Sequence, residues 1–264
     1  MKFAHFPIGV ILSLVAFGYA ADGCAYATFP YTSGSETLYS KWGPDNHAGT
    51  PAGSVTWSLI PAGTPGSATY CSTACPGNSL DAINIENGPG MGFTLTPMAN
   101  LRDHLRTAFA RWSAVSGVRF VELPSDSGVA INDALAVPPA TGDIRIGVFA
   151  FSSGGGAVGY APPPNGGTGS GDILFDANSY YQFAAQAEGQ AYDTTFAPND
   201  FDTLLLHEMG HALGLAHPVD DGSCPVMQIA AHCFGHVNRQ LDADDIAGVQ
   251  FLYGSLFMDG FDGP

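Results

Sequence analysis

Residues 207 to 217 read His207-Glu208-Met209-Gly210-His211-Ala212-Leu213-Gly214-Leu215-Ala216-His217. In an α-helix, positions four apart lie on one face a turn apart, so His207 and His211 converge. Gly214 ends such a helix by taking a left-handed conformation that other residues resist, and the turn brings His217 back toward the first two imidazoles. Three neutral imidazoles match a zinc ion that keeps one coordination position open, the arrangement of a catalytic rather than a structural site. Glu208, one position round from His207, is placed to take a proton from a water in that open position and to return it to a leaving amine. The competing reading is a set of buried helix histidines beside a surface glutamate. It does not account for three histidines and a helix-ending glycine falling together at ligand spacing.

Working outward, Asn199 or Asp200 opens the helix that carries the motif, with Asp202 in its first turn. An earlier helix starts at Thr96-Pro97 and repeats Leu101, Leu105, Ala108, Phe109, Trp112 and Val115 at helical spacing up to Gly117. A later one opens at Asp242, with Asp245 three residues on, and stops at Gly254. Strands are expected at Val55–Ile60, Val118–Leu123, Asp143–Phe151, Ala157–Ala161 and Asp172–Phe175. Residues 61 to 92, dense in Gly, Pro, Ser and Cys, read as a loop excursion. These elements predict one α+β domain over residues 54–254, preceded by an extended segment at 21–53 and followed by a short tail at 255–264.

The first residues are set apart from the fold. Lys2, the apolar run Phe6 to Phe17 and Gly18-Tyr19-Ala20 read as a signal peptide over residues 1–20, cut after Ala20. Export is therefore expected, to the extracellular space or, in a bacterium, the periplasm. The run is too short for a bilayer of about 30 Å, so no membrane anchor is expected. With 24 acidic against 8 basic residues and a net charge of −16, nucleic acid is not an expected partner. An oxidising compartment lets the five cysteines pair; closeness favours Cys71 with Cys75 and Cys224 with Cys233, leaving Cys24 over.

The 207–217 motif resembles the metzincin signature, and Met227, in Cys224-Pro225-Val226-Met227-Gln228, stands where those proteins have their Met-turn. Lys41-Trp42, Ala108 to Ser113, Gly142-Asp143-Ile144, Gly171 to Asp176 and Asp244 to Gly254 resemble matrixin segments in matching order, so the likeness covers residues 40 to 254. It implies a twisted, mostly parallel five-stranded sheet with three helices, a cleft between the edge strand and the zinc helix, and a secreted, monomeric endopeptidase acting on polypeptides. One catalytic Zn²⁺ is expected, because Tyr160 and Leu174 stand where the resemblance would put histidines of a structural zinc. Asp143 and Asp172 stand at calcium carboxylate positions, with solvated loop aspartates as the alternative. Ser179 replaces an acidic ligand of another calcium site. No Pro-Arg-Cys-Gly latency motif precedes Trp42, which leaves Asp22 or Cys24 as the candidate fourth zinc ligand of a latent state, against a Cys24 that is simply bonded or buried. Histidines 232 and 236 with Cys233 are read as loop residues, and His47 and His104 as surface or core residues. The rival functions are a silent binding protein on this scaffold and a cysteine-based enzyme using Cys24, which lacks a recognisable partner histidine.

Overall fold

The computed structural model describes residues 26–67, 77, 83–86, 93–95, 98–152, 155–165 and 167–255. The signal segment, Asp22, Cys24, the Cys71–Cys75 pair, the Thr96-Pro97 helix start and most of the tail lie outside them. The chain begins with β1 (Ala27–Thr28), β2 (Pro30–Ser33), β3 (Glu36–Tyr39) and β4 (Ser54–Leu59), followed by β5 (Asn84–Glu86), β6 (Phe93–Leu95), helix α1 (Met98–Ser116) and β7 (Arg119–Glu122). Next come β8 (Ile144–Phe149), β9 (Ala157–Gly159), β10 (Ile173–Asp176), β11 (Tyr180–Gln182) and β12 (Asn199–Asp200). Helix α2 (Phe201–Ala212), β13 (Leu215–Ala216) and helix α3 (Ala243–Tyr253) complete it.

The main sheet has five strands in the order β7-β4-β8-β10-β9. Strands β7, β4, β8 and β10 run parallel, and β9 alone lies antiparallel on the edge beside β10. This is the expected α+β architecture, with each predicted strand and helix present and its ends moved by a residue or two. Side chains alternate between faces along a strand, so β10 sends Ile173 and Phe175 to one side and Leu174 to the other. The first side meets the helices. There Leu101, Leu105, Phe109 and Trp112 of α1 join Phe201, Leu205, Leu206 and Met209 of α2 in one buried cluster with Ile146 and Val148. Trp112 Nε1 also donates to Leu206 O at 3.1 Å, tying the first helix to the second.

On the far side, Leu174 packs with Ile60, Ile131 and Phe149, and Tyr160 and Val158 lie against that cluster. Beside it Arg145, fully buried, places Nε 2.9 Å and Nη2 2.7 Å from the two carboxylate oxygens of Asp126.

The loop reading of residues 61–92 needs correction. Asn84–Glu86 is a strand of a second sheet, ordered β12-β11-β5-β6, in which it pairs with Tyr180–Gln182 and with Phe93–Leu95. Three residues are too few for alternation to show in the sequence, and the partner strand is distant along the chain. The extended segment before residue 53 likewise holds a hairpin of β2 and β3, turned at Gly34 with φ 63°, and β1 pairs with β13 beside the motif.

Candidate active site

Asp200 caps α2 by accepting from Thr203 N at 3.1 Å, which satisfies one of the unpaired amides of the first turn. From this start, His207 and His211 fall on one face of the helix, a turn apart. Gly210 sits between them in mid-helix, where glycine costs about 0.5–1 kcal/mol relative to alanine. The reason is space: a Cβ there would stand 2.1 Å from Met227 Sδ. Met227 therefore lies directly under the two histidines.

The segment bearing Met227 is held from α3. Asp245 accepts from Val226 N at 2.9 Å and Met227 N at 3.1 Å, and also from Asp242 N as the second half of the α3 capping box. Val226 O in turn accepts from His207 Nδ1 at 2.7 Å. At the other end Gly214, with φ 99°, makes the turn to His217. A Cβ on Gly214 would lie 2.3 Å from Ser40 O, so close approach requires glycine as much as the backbone angle does.

The three imidazoles meet through their Nε2 atoms. His217 Nε2 stands 3.1 Å from His207 Nε2 and 2.9 Å from His211 Nε2. The Nδ1 atoms of His207 and His211 face carbonyls, Val226 O and Leu215 O at 2.8 Å, and so must carry their protons. Both Nε2 atoms then present lone pairs to His217, whose own Nε2 can donate to only one of them, so at least two lone pairs turn inward in an arrangement that a cation between them would favour. Tetrahedral ligands about 2.1 Å from a zinc ion would stand roughly 3.4 Å apart, so the donor set fits that ion and its outer hydrogen bonds. Burial pushes the His207 pKa down and that of His211 well down, with the neighbouring imidazoles adding to the second. His217 falls to about 4 for the same two reasons, so all three are neutral and able to ligate near pH 7.

Glu208, 5% exposed, accepts from Gly159 N on the edge strand at 2.5 Å. Burial raises its pKa to about 8, opposed by that amide. Strand β9 comes close because residue 159 is glycine: a Cβ there would stand 2.3 Å from Glu208 O. Helix α2 and the antiparallel edge strand β9 thus lie against each other at Glu208.

The remaining sequence candidates lie elsewhere. Asp143 Oδ2 accepts from Thr56 N and Oγ1, whereas Asp172, fully buried, accepts from Arg145 N through Oδ1 and leaves Oδ2 without a partner. Tyr160 and Leu174 are packed in the far-face cluster. Among the described residues, two groups of three metal-binding side chains converge, the His207, His211, His217 set and Cys224, His232, Cys233. In the second, Cys224 and Cys233 are joined in the expected disulfide, which removes their thiolates as ligands. Histidine 236 lies outside both groups. His47 pairs with Asp45 on the surface, and His104 bonds Asp202 and stacks on Phe183. Sequence reading missed Gly159 as a partner of Glu208 and Asp245 as the anchor of Met227. A glycine in a strand was the available signal for the first; the capping-box reading of Asp245 concealed the second.

Comparison with known proteins agrees with this geometry. The Matrixin family profile matches residues 93–254. The hatching enzyme of Paracentrotus lividus is 33% identical over 159 residues, 59% of this chain and 23% of its own length. The macrophage metalloelastase of Oryctolagus cuniculus is 31% identical over 57% of this chain and 28% of its own. Metalloendoproteinase 1 of Glycine max is 29% identical over 61% of this chain and half of its own length. The chain thus spans between about a quarter and a half of the curated relatives it matches.

Proposed function

The chain belongs to the matrixin family, and on that premise we propose that it is a zinc-dependent endopeptidase with Glu208 as its general base. The observation that carries this reading is the convergence of the three Nε2 atoms of His207, His211 and His217, with the carboxylate of Glu208 on the same helix. His207, His211 and His217 would hold one Zn²⁺. When bound, the ion supplies Lewis acidity toward the scissile carbonyl and acidifies water to a pKa near about 7. Glu208, whose ionised form the charge of a bound ion would favour against the effect of burial, would take the proton of the attacking water and pass it to the amine that leaves. Gly159 N positions that carboxylate, and the antiparallel edge of β9 pairs with an extended substrate backbone. Val226 O and Leu215 O retain the Nδ1 protons of His207 and His211, which would leave their Nε2 lone pairs free to hold the ion.

The proposal extends to a monomer exported through the segment at residues 1–20. None of the helices among the described residues is long and apolar enough to cross a membrane. Asp143 and Asp172 are the proposed calcium carboxylates, the partnerless Oδ2 of Asp172 being the feature that suits a cation. Asp22 or Cys24 is the proposed ligand of a latent state. A silent binding protein is the alternative reading, and an intact Glu208 speaks against it. The test is to incubate the purified chain with a mixed peptide library, with and without a zinc chelator, and read products by mass spectrometry. Internal cleavage abolished by the chelator and restored by zinc is expected. Absence of any cleavage by zinc-loaded protein would leave the silent protein as the better account.

A further inference from the structure

The last four carbonyls of an α-helix have no partner within it. In α2 those carbonyls immediately precede the turn that delivers His217, and two of them receive donors from other parts of the fold. Trp42 Nε1 donates to Ala212 O at 2.7 Å. The Tyr253 hydroxyl donates to Leu213 O at 2.8 Å and accepts from Trp42 N at 3.1 Å. Indole, phenol and helix end therefore form one connected, buried circuit.

Neighbouring residues hold that circuit in place. Lys41 is 1% exposed, and its Nζ donates to Trp42 O, Asp45 O and both oxygens of Thr50 at 2.9–3.1 Å while lying 5.0 Å from the Tyr253 ring centroid. Beyond Leu213 the same segment continues to line the turn. Ser40 O presses on Gly214, Thr28 pairs with Leu215, and Ala27 pairs with Ala216. Leu215 O is the acceptor that orients His211, and the Phe29 ring centroid lies 6.3 Å from that of His211. Each residue from Ala212 to Ala216 thus meets either residues 27–42 or Tyr253.

We propose that Trp42 and Tyr253 are positioning residues of the metal centre, holding the turn at 212–216 so that His217 closes on His207 and His211. Residues 26–50 are then a fixed part of the zinc site, distinct from any cover supplied by residues before Tyr26. The proposal rests on the zinc reading above, so its readout is zinc affinity rather than hydrolysis alone. It concerns the second half of the ligand set; the first half is already oriented by Val226 O.

Trp42→Phe removes the indole donor and keeps a ring, and Tyr253→Phe removes one oxygen. Ser113→Ala, which loses the bond from Ser113 Oγ to Val118 O in α1, is the control for a hydrogen bond lost away from the turn. Zinc is titrated against a chromophoric chelator, with the stability of each metal-free protein measured alongside. Each ring variant should bind zinc roughly 10–100-fold more weakly, the usual loss when a support behind a metal ligand is removed. The control should stay within about twofold of the parent. Saturating zinc should return kcat in the variants with KM for peptide unchanged. Parental zinc affinity in both ring variants would overturn the proposal, as would an equal loss in Ser113→Ala. If Trp42→Phe does not fold, Tyr253→Phe decides alone. A parent chain that binds no zinc overturns the metal reading, and this one with it.

Discussion

The two faces of the main sheet solve the same problem by different chemistry. On the helix face, three imidazoles converge with at least two lone pairs turned toward one another, an arrangement that a cation would favour. On the far face, Leu174 and Tyr160 stand where the family resemblance would place histidines, and they pack with Ile60, Ile131, Val158 and Phe149. Next to them Arg145 is neutralised by Asp126 inside the protein. One face gathers imidazoles that suit a metal; the other is closed by apolar contact and an internal ion pair.

The sharpest way to break this contrast is on the helix face. Glu208→Ala should keep one zinc per chain by elemental analysis while hydrolysis falls about 10²–10⁴-fold, the usual contribution of a positioned general base. His211→Ala should lose the zinc too. Equal zinc loss in both variants would remove the distinction between base and ligand. Two tightly held zinc ions in the parent would mean that the far face also holds metal.

On the far face the expected effects are on stability alone. Asp126→Asn leaves the Arg145 charge buried without its partner and should cost about 3–5 kcal/mol in denaturant unfolding. Leu174→Ala opens a cavity in the second cluster and should cost about 2–5 kcal/mol, with zinc content unchanged. If Leu174→Ala releases zinc, the two faces are not independent.

The smallest expected effect is the most informative about calcium. Burial raises the Asp172 pKa to about 8, with the Arg145 amide and charge opposing it. An unfolded chain releases that proton near about pH 4. Between those values the folded chain carries the extra proton, so stability from this group is present at low pH and is lost as pH rises toward 8. In calcium-free buffer, Asp172→Asn should therefore melt above the parent at pH 8.5, by about 1–3 kcal/mol, with the gap closing toward pH 5. If calcium raises the melting point of the parent but not of Asp172→Asn, that carboxylate is a calcium ligand and the far face depends on a cation after all. No difference between the two proteins at any pH would show that the buried carboxylate costs the fold nothing.

The helices were legible because their signals are local. Asp200 and Asp242 cap, Gly117 and Gly254 terminate, and the apolar spacing of α1 survives intact in the core. Strands β8 and β10 were legible as largely apolar, buried stretches, and β4 by its alternation of apolar and polar residues. The second sheet was not, since β5 and β6 have three residues each, and β5 finds its other partner, β11, far along the chain.

By itself the sequence brought His207, His211 and His217 to one point, with Glu208 on the same helix and Gly214 as the helix break, because eleven consecutive residues on a helix and its turn fix their own relative positions. It also determined that positions 160 and 174 carry no imidazole, which is a matter of side-chain type alone. Tertiary structure decided what holds those groups at working distance. Gly159 offers its amide to Glu208, Asp245 carries Met227 beneath Gly210, and Trp42 with Tyr253 closes the end of α2. Each of these partners comes from outside α2, and a hydrogen bond between distant segments leaves no periodicity in either of them. Their pairing exists only once the chain has packed.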